Sequence, residues 1–321
     1  VVGMNGSTQP DMLGPVFVRE DIDLGPDPEG EGRAFISMVQ YRPNDRNDAR
    51  PAVLWVHGMS DYFFQEWAAE RLHQEGYAFY AVDLRKCGRA HQEGQRWHYS
   101  EDLKNYITDL TRALDYIVDD GHQHVVPLAH STGGLIVPIW IDALRRGDPA
   151  HHRHIKALVL NSPWLDMQFP QWQVAIARPL VGVIGRARPT LQVPGGSLGT
   201  YGKSLARDWD FDHQFKPLAG HTKYFGWLRA IFRGQKQVHQ GGVDVGVPTL
   251  TLCSTSSGPY DDRDAVLDVT QIKKWAPFLG NDVEVVSIPH ARHDVFLSWP
   301  QPRHQAMATT LRFLGEHCAA L

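Results

Sequence analysis

The chain has 321 residues, a length that fits two ordinary domains or one large α/β domain with an insertion. Its 32 Lys and Arg against 36 Asp and Glu give a formal net charge of −4, and 42% of the residues are hydrophobic. This composition excludes a globally disordered chain, because it supplies enough apolar side chains for a core. The balance of charge provides no basic field for nucleic acid or an anionic membrane, and no apolar run approaches the ~20 residues of a membrane span.

The N-terminal stretch and the cysteines provide evidence on where in the cell the protein is located. Residues 1–15 are polar and contain Gly and Pro, which is not the pattern of a signal peptide, although the chain does not begin with Met and processing stays open. The cysteines Cys87, Cys253 and Cys318 are too few and too far apart for a disulfide framework. These features predict a reducing, cytoplasmic location and leave the oligomeric state open.

Short apolar runs that end in turn residues alternate with helix-like stretches along the chain. A first run at 33–41 predicts a strand near a sheet edge. Strands buried on both faces are predicted at 53–56, 78–82, 125–129, 155–160, 247–253 and 283–288. Helices are predicted at 66–72, 103–117, 135–145 and 305–316. The alternation indicates a mainly parallel sheet with helices on both faces.

Residues 164–246 interrupt this alternation. The segment contains Trp164, Trp172, Trp209 and Trp227 with several Pro and Gly, and it is too long for an ordinary connection. We predict that it is an inserted cap between two parts of one core, residues 1–163 and 247–321. Tryptophans in so small a unit are more typical of its own core than of a substrate channel.

A serine stands at the turn between the run at 125–129 and the next helix. Ser131 has Ala129 two positions before it and Gly133 two positions after it. A nucleophilic serine on a sharp strand-to-helix turn needs small neighbours there, because larger side chains would clash where the chain reverses. The following helix N-terminus favours negative charge near the hydroxyl. The pattern predicts Ser131 as a nucleophile, with a helix-capping serine as the structural alternative.

The sequence His57-Gly58-Met59 directly follows the first buried strand. Acyl transfer needs two backbone N–H donors where the carbonyl oxygen becomes anionic. A loop after a neighbouring strand supplies one donor, and the residue after the nucleophile supplies the other. We therefore predict the amides of Met59 and Thr132 as oxyanion donors. His57, Gly58 and Trp164 are candidates for substrate contact.

A histidine and a carboxylate complete the predicted site. His293 follows the last strand and precedes the C-terminal helix, where a general base can reach the serine, and His290 is its competitor. The carboxylate that orients the base should follow the run at 247–253. Asp264 is favoured because small and apolar residues follow it, as suits a turn into a helix. The other candidates are Asp261, Asp262 and Asp268, with Asp166 as an outside alternative.

These pieces resemble the α/β-hydrolase superfamily, in the branch of monoacylglycerol lipases and lysophospholipases often labelled serine aminopeptidase S33-like. The resemblance runs from about residue 51 to the end and rests on His57-Gly58-Met59-Ser60, Asp83-Leu84-Arg85-Lys86-Cys87-Gly88-Arg89, Ala129-His130-Ser131-Thr132-Gly133-Gly134, Asn161-Ser162-Pro163-Trp164-Leu165-Asp166, Asp264-Ala265-Val266 and His293-Asp294. It implies an α/β-hydrolase fold with an eight-stranded sheet and a cap after the sixth strand that covers an acyl pocket. It also implies triad roles for Ser131, Asp264 and His293.

The chain departs from the family pattern at two places. Lys86 stands where the family's loop more often has Gly, and the stretch at 257–262 lengthens the usual connection between strand and acid. Because of the second departure, Asp261 and Asp262 remain alternatives to Asp264 as the acid of the triad. Arg85 and Lys86 are themselves predicted to be a surface pair, with contact to an anionic group of the substrate as the alternative.

The functional prediction is a serine hydrolase that cleaves small-molecule carboxylic esters through an acyl-enzyme on Ser131, with no metal or organic cofactor. The histidines of His151-His152-Arg153-His154 do not share one side of an element and have no accompanying Cys or carboxylate pair, so they predict no metal site. An acyltransferase, a thioesterase or an amidase with the same triad is an alternative, as is a non-catalytic binding module. The acyl chain and the leaving group stay open.

Overall fold

The computed structural model describes residues 8–43 and 50–318. Within these residues nine strands form one sheet in the order β1-β2-β3-β5-β4-β6-β7-β8-β9. The strands are β1 (Gln9–Asp11), β2 (Gly14–Pro26), β3 (Arg33–Tyr41), β4 (Arg50–Val56), β5 (Tyr77–Asp83), β6 (Val125–His130), β7 (Leu158–Asn161), β8 (Thr249–Ser254) and β9 (Val283–Ile288). The helices are α1 (Glu66–Gln74), α2 (Asn105–Asp119), α3 (Gly133–Gly147), α4 (Pro149–His152), α5 (Gln171–Ala187), α6 (Gly199–Asp208), α7 (Phe225–His239), α8 (Val269–Trp275) and α9 (Pro300–Cys318).

The sheet is mainly parallel, as predicted. Strands β4 to β9 run in one direction, and β1, β2 and β3 extend the β5 side as antiparallel strands. The described part of the chain thus has nine strands rather than the eight expected, because the short β1 pairs with β2 at the edge. The strand at 33–41 exists, but it lies two strands inside that edge. Sequence reasoning missed β2, where the consecutive charged residues at 19–21 interrupt the alternation of apolar and polar residues.

The parallel strands β4 to β8 are buried on both faces, which explains their continuous apolar runs, whereas β9 is only partly buried, contrary to the prediction for 283–288. On β4, Leu54 packs in a cluster with side chains of α2 and α3, whereas its neighbour Trp55 packs in a second cluster with side chains of α1 and α9. Successive side chains of a strand point to opposite faces, so both faces of β4 need apolar residues. The carboxyl ends of the parallel strands all meet at one edge of the sheet, where loops can bring distant residues together.

Residues 164–246, all of which are described, contribute the helices α5, α6 and α7 and no strand to the sheet. The segment follows β7, the seventh strand of the chain rather than the sixth, because β1 adds one strand before it. The division into a core and a cap stays a prediction. Trp227 is buried, but it packs in a cluster that includes side chains of α2 and α3 rather than in a core of the segment's own, and Trp172 is 66% exposed.

The prediction of a surface pair at Arg85 and Lys86 is wrong. Both side chains are buried, and Arg85 donates to Asp109 with Nη2···Oδ1 at 2.6 Å. Lys86 adopts a left-handed backbone with φ 59°, and its ammonium contacts three carboxylates of the loop between β2 and β3. The distances from Lys86 Nζ are 2.7 Å to Asp27, 3.1 Å to Glu29 and 2.8 Å to Glu31. Burial disfavours the charged ammonium, but these carboxylates outweigh it and raise the pKa of Lys86 above its usual value.

The cysteines, the N-terminal stretch and the helices were used above to predict where the protein is located. The three cysteines are buried and form no disulfide. Of the N-terminal stretch at 1–15, residues 1–7 lie outside the described residues. None of the helices in the described ranges is long and apolar enough to cross a membrane.

Candidate active site

The turn after β6 places Ser131 in a strained and tightly packed position. Ser131 has φ 52°, in the left-handed region that non-glycine residues rarely adopt. A Cβ on Gly133 would lie 2.5 Å from the His57 carbonyl oxygen, and one on Gly134 would lie 2.5 Å from Pro163 Cβ. Small residues are therefore required where the turn packs against the loops after β4 and β7. This is the steric reason from which the sharp turn was predicted.

Three side chains from separate loops form one chain of hydrogen bonds. His293 Nε2 lies 2.9 Å from Ser131 Oγ, and His293 Nδ1 lies 2.9 Å from Asp264 Oδ2. A carboxylate can only accept, so Nδ1 carries the proton and Nε2 is free to accept from the serine hydroxyl. The other oxygen of Asp264 accepts from the backbone amides of Val266 and Leu267 at 2.8 Å, which fixes the carboxylate. His293 and Asp264 are buried.

The other candidate acids contact groups other than His293, and the other candidate base does not contact Ser131. Asp261 pairs with Arg207, and Asp262 contacts Arg263 and His290. Asp268 caps the N-terminus of α8 by accepting from the Thr270 amide. Asp166 accepts from the side chains of Gln171 and Trp275. The side chain of His290 is 73% exposed, so of the two histidines only His293 reaches the serine.

An apolar cavity of about 180 Å³ opens beside the serine. Its wall includes Ser131, His293, the two predicted oxyanion residues Met59 and Thr132, and Trp164. Most of the wall is contributed by residues of the 164–246 segment, from Trp164 to Leu228. A cavity with this lining suits an extended apolar group held next to the hydroxyl.

The other two predicted contact residues do not line this cavity. His57 and Gly58 border a much smaller space next to it. His57 Nδ1 is 2.7 Å from the Gly58 carbonyl, and Nε2 accepts from the Leu84 amide at 3.1 Å, so the ring holds the loop after β4. Gly58 approaches the nucleophile, because a Cβ on it would lie 2.8 Å from Ser131 Cβ. Both residues therefore shape the turn around Ser131 rather than the cavity wall.

Potential metal ligands also meet near this loop. Among the described residues, ligand atoms of His57, Cys87 and His98 lie within 4.8 Å of one another. Both ring nitrogens of His57 are hydrogen-bonded to the backbone, and Cys87 Sγ lies 3.1 Å from the Arg85 carbonyl. Burial raises the pKa of Cys87 well above its usual value, which disfavours the thiolate that a metal requires. The trio does not fit a metal site.

A sequence profile described as "Serine aminopeptidase, S33" matches residues 47–298. The chain belongs to the serine aminopeptidase S33 family. A search of curated proteins found no significant match to this sequence.

Solved structures show that the S33 chain has the α/β-hydrolase fold. It is similar to a soluble variant of monoglyceride lipase from Saccharomyces cerevisiae in complex with a substrate analog, with 15% identity, a TM-score of 0.67 and coverage of 89% of this chain and 92% of that chain. A monoacylglycerol lipase from Paleococcus ferrophilus has 20% identity, a TM-score of 0.62 and coverage of 88% and 99%. Est1E from Butyrivibrio proteoclasticus, with ferulic acid bound, has 17% identity, a TM-score of 0.57 and coverage of 88% and 96%.

The chain contains a buried support for the His293 loop that sequence reasoning missed. Asp294 is fully buried, and its oxygens accept from Asn161 Nδ2 at 2.7 Å and Gln65 Nε2 at 3.0 Å. Asn161 Oδ1 in turn accepts from the Val295 amide at 3.1 Å. The Asn161 carbonyl also accepts from the Ser131 amide at 3.0 Å. A polar residue at the end of β7 was the available signal, because it joins the nucleophile turn to the loop of the base.

Proposed function

We propose that this protein hydrolyses carboxylic esters through an acyl-enzyme on Ser131. The observation that carries the proposal is the buried chain of hydrogen bonds from Asp264 through His293 to the Ser131 hydroxyl, at the wall of an apolar cavity. The names of the structural neighbours support a monoacylglycerol lipase-like or lysophospholipase-like ester hydrolase. A small-molecule acyl ester is the expected partner.

The first half of the reaction forms the acyl-enzyme. His293 Nε2 takes the proton of Ser131 as Oγ attacks the acyl carbonyl, and Asp264 stabilises the imidazolium through the Nδ1–H. The amides of Met59 and Thr132 donate to the developing oxyanion. Neither amide is bonded to another residue in the described part of the chain, so both N–H groups are available. His293 then gives its proton to the leaving alkoxide, and the alcohol departs.

The second half repeats the same proton transfers with water. His293 removes a proton from a water molecule that attacks the acyl carbonyl, and then returns the proton to Ser131 Oγ as the acid leaves. These steps need no metal or organic cofactor. An acyltransferase, a thioesterase or an amidase would use the same groups, and the choice depends on which acceptor and leaving group the cavity admits.

A fluorophosphonate tests the proposal, because it phosphonylates an activated serine. We expect labelling of the wild-type protein at Ser131, found by peptide mass spectrometry. The variant Ser131→Ala should escape labelling and hydrolyse p-nitrophenyl butyrate at least about 10³-fold more slowly. The control Ser162→Ala removes a buried serine hydroxyl directly after β7, at a residue that also has a positive φ (46°). Labelling of this control at Ser131 is expected, whereas full esterase activity of folded Ser131→Ala would refute the mechanism.

A further inference from the structure

The wall of the active-site cavity carries three residues with full charges. They are Asp61 from the loop after β4, and Lys216 and Lys223 from the 164–246 segment. Three further ionisable groups lie on the wall: the imidazoles of His130 and His293, and the phenol of Tyr201, whose pKa burial raises well above its usual value, so that it is neutral. Burial lowers the pKa of His130, so its ring is neutral near pH 7. His293 must likewise be neutral to act as the base. The charge of the cavity is therefore set by one carboxylate and two ammonium groups.

The carboxylate is already neutralised by one of the two lysines. Lys216 Nζ donates to Asp61 Oδ1 at 2.7 Å, and both side chains are almost fully buried. Burial alone would raise the pKa of Asp61, but the Lys216 ammonium outweighs it and holds that pKa below its usual value. The pair thus adds no net charge to the cavity.

The second lysine lacks such a partner. Lys223 Nζ donates to the Gly196 carbonyl at 2.8 Å, and among the described residues no carboxylate lies within 4.0 Å of it. The side chain is half-buried, and burial lowers the pKa of Lys223 without an opposing carboxylate. The ammonium has lost part of its hydration and gained no counter-charge, so an anion would stabilise it.

The backbone beside Lys223 lets a ligand approach closely. Gly195 and Gly196 line the same cavity with φ 79° and 72°, and the nearest atoms to a Cβ on Gly196 would be those of the Lys223 side chain. These glycines belong to a Gly-rich stretch that does not match a phosphate-binding loop in sequence. Here they leave the wall next to the ammonium without side chains.

We infer that the cavity selects esters that carry a carboxylate or phosphate group away from the scissile bond, and that this anion pairs with Lys223 Nζ. Lys216 stays engaged by Asp61, so Lys223 is the specificity-determining residue. The inference rests on the proposed ester hydrolysis at Ser131. The anion belongs either to the acyl chain or to the leaving alcohol, and the two positions can be tested separately.

Matched substrate pairs test the inference in the intact chain. For the acyl side, the p-nitrophenyl half-ester of adipic acid is compared with p-nitrophenyl hexanoate, which has the same chain length without the carboxylate. For the leaving-group side, hexanoyl glycerol 3-phosphate is compared with hexanoyl glycerol. We expect kcat/KM of the wild type to be about tenfold higher for the anionic member of one pair, a ratio that corresponds to one charge-assisted hydrogen bond. The pair with this preference locates the anion.

Variants of the lysine separate charge recognition from a general defect. Lys223→Met should lower the ratio of anionic to neutral kcat/KM to about one, and Lys223→Glu should invert it, because a carboxylate repels the anion. A structural defect would instead slow both members of a pair alike and leave the ratio unchanged. The control Lys203→Met removes an exposed lysine of α6 that does not line the cavity, so the wild-type ratio should persist.

Three results would overturn the inference. They are a wild-type ratio near one for both pairs, a ratio that survives Lys223→Met, and a stronger preference for the anion in Lys223→Glu. The first of these, together with hydrolysis of the neutral esters by Ser131, would remove the anion site and leave the proposed function intact. A protein that cleaves none of the four esters and also escapes fluorophosphonate labelling would remove both.

Discussion

Helices α3 and α5 have similarly apolar compositions but differ in how much of each helix is buried. Both are rich in apolar residues, and each contains a proline, Pro138 in α3 and Pro179 in α5. Almost every residue of α3 from Gly133 to Leu144 is buried. In α5, by contrast, only Val174, Val181 and Gly185 are buried among the described side chains, and four large apolar residues are 58–70% exposed: Trp172, Ile176, Leu180 and Val183.

The difference comes from what covers each helix. Helix α3 follows the nucleophile turn, lies on the sheet and contacts α2, α4 and α7, whereas the main helix contact of α5 is α7 alone. An apolar sequence therefore does not by itself decide burial. Because hydrophobic stabilisation scales with the apolar area removed from water, the same residue type should contribute much more in α3 than in α5.

A matched pair of isoleucines should give the largest contrast. Ile141 on α3 is fully buried and Ile176 on α5 is 59% exposed. We expect Ile141→Ala to lower the free energy of unfolding by about 2–5 kcal/mol, because it removes buried methylene groups and leaves a cavity. Ile176→Ala should change it by less than about 1 kcal/mol. Urea denaturation at constant m-value measures both. If both variants lost the same free energy of unfolding, the apolar side chains of α5 would have to be buried in solution, and the contrast between the two helices would be refuted.

A matched pair of glycines should give a smaller contrast with opposite signs. In α3, a Cβ on Gly134 would lie 2.5 Å from Pro163 Cβ, whereas on α5 a Cβ on Gly182 would meet nothing within 4 Å. Gly134→Ala should therefore destabilise the protein by about 1–3 kcal/mol through overpacking. Gly182→Ala should stabilise it by up to about 1 kcal/mol, because alanine favours the helix and restricts the unfolded chain. Thermal unfolding of both variants checks the signs; a destabilised Gly182→Ala would contradict the open space beside α5.

The strands of the parallel part of the sheet could be predicted from the sequence, because a strand buried on both faces consists of a continuous run of apolar residues. Strands β4 to β9 were found as apolar runs, and the steric demands of the turn at Ser131 identified that residue together with Gly133. Strand β2 has no such apolar run, because much of it is partly exposed and its charged residues interrupt the alternation of apolar and polar side chains. The exposure of the apolar residues of α5 could not be predicted either, since it depends on which other elements pack against the helix.

Polar contacts between distant segments could not be predicted from the sequence. Lys86 and its carboxylate partners are separated by about 55–60 positions, and Asp61 and Lys216 by 155. Neither pairing shows in local spacing, so Lys86 was wrongly placed on the surface. The choice of Asp264 rested on local turn chemistry, and the geometry supports it only because the carboxyl ends of β8 and β9 are neighbours. Asp294 beside His293 gave no sign that it anchors the loop through Asn161.

A contact between the 164–246 segment and Trp97 supplies the smallest expected effect on stability, and this effect depends on pH. His221 of that segment stacks on Trp97, with ring centroids 4.6 Å apart, and His91 also stacks on Trp97, at 3.5 Å. Burial lowers the pKa of His221 to about 4, and nearby Lys216 and Lys223 add to the effect. In the unfolded chain the same imidazole titrates near 6.5.

Acid should therefore weaken this contact. Below pH 6.5 the unfolded chain binds a proton that folded His221 does not, so stability falls as the pH is lowered from about 6.5 towards 4. We expect His221 to account for a loss of about 1 kcal/mol between pH 7 and pH 5, after allowance for its partial exposure. His221→Gln should reduce the difference in Tm between these pH values, because glutamine does not titrate. His213→Gln, which changes an exposed histidine of the same segment, should keep the wild-type difference. If His221→Gln keeps the wild-type difference as well, the acid sensitivity arises from other titrating groups and not from this contact.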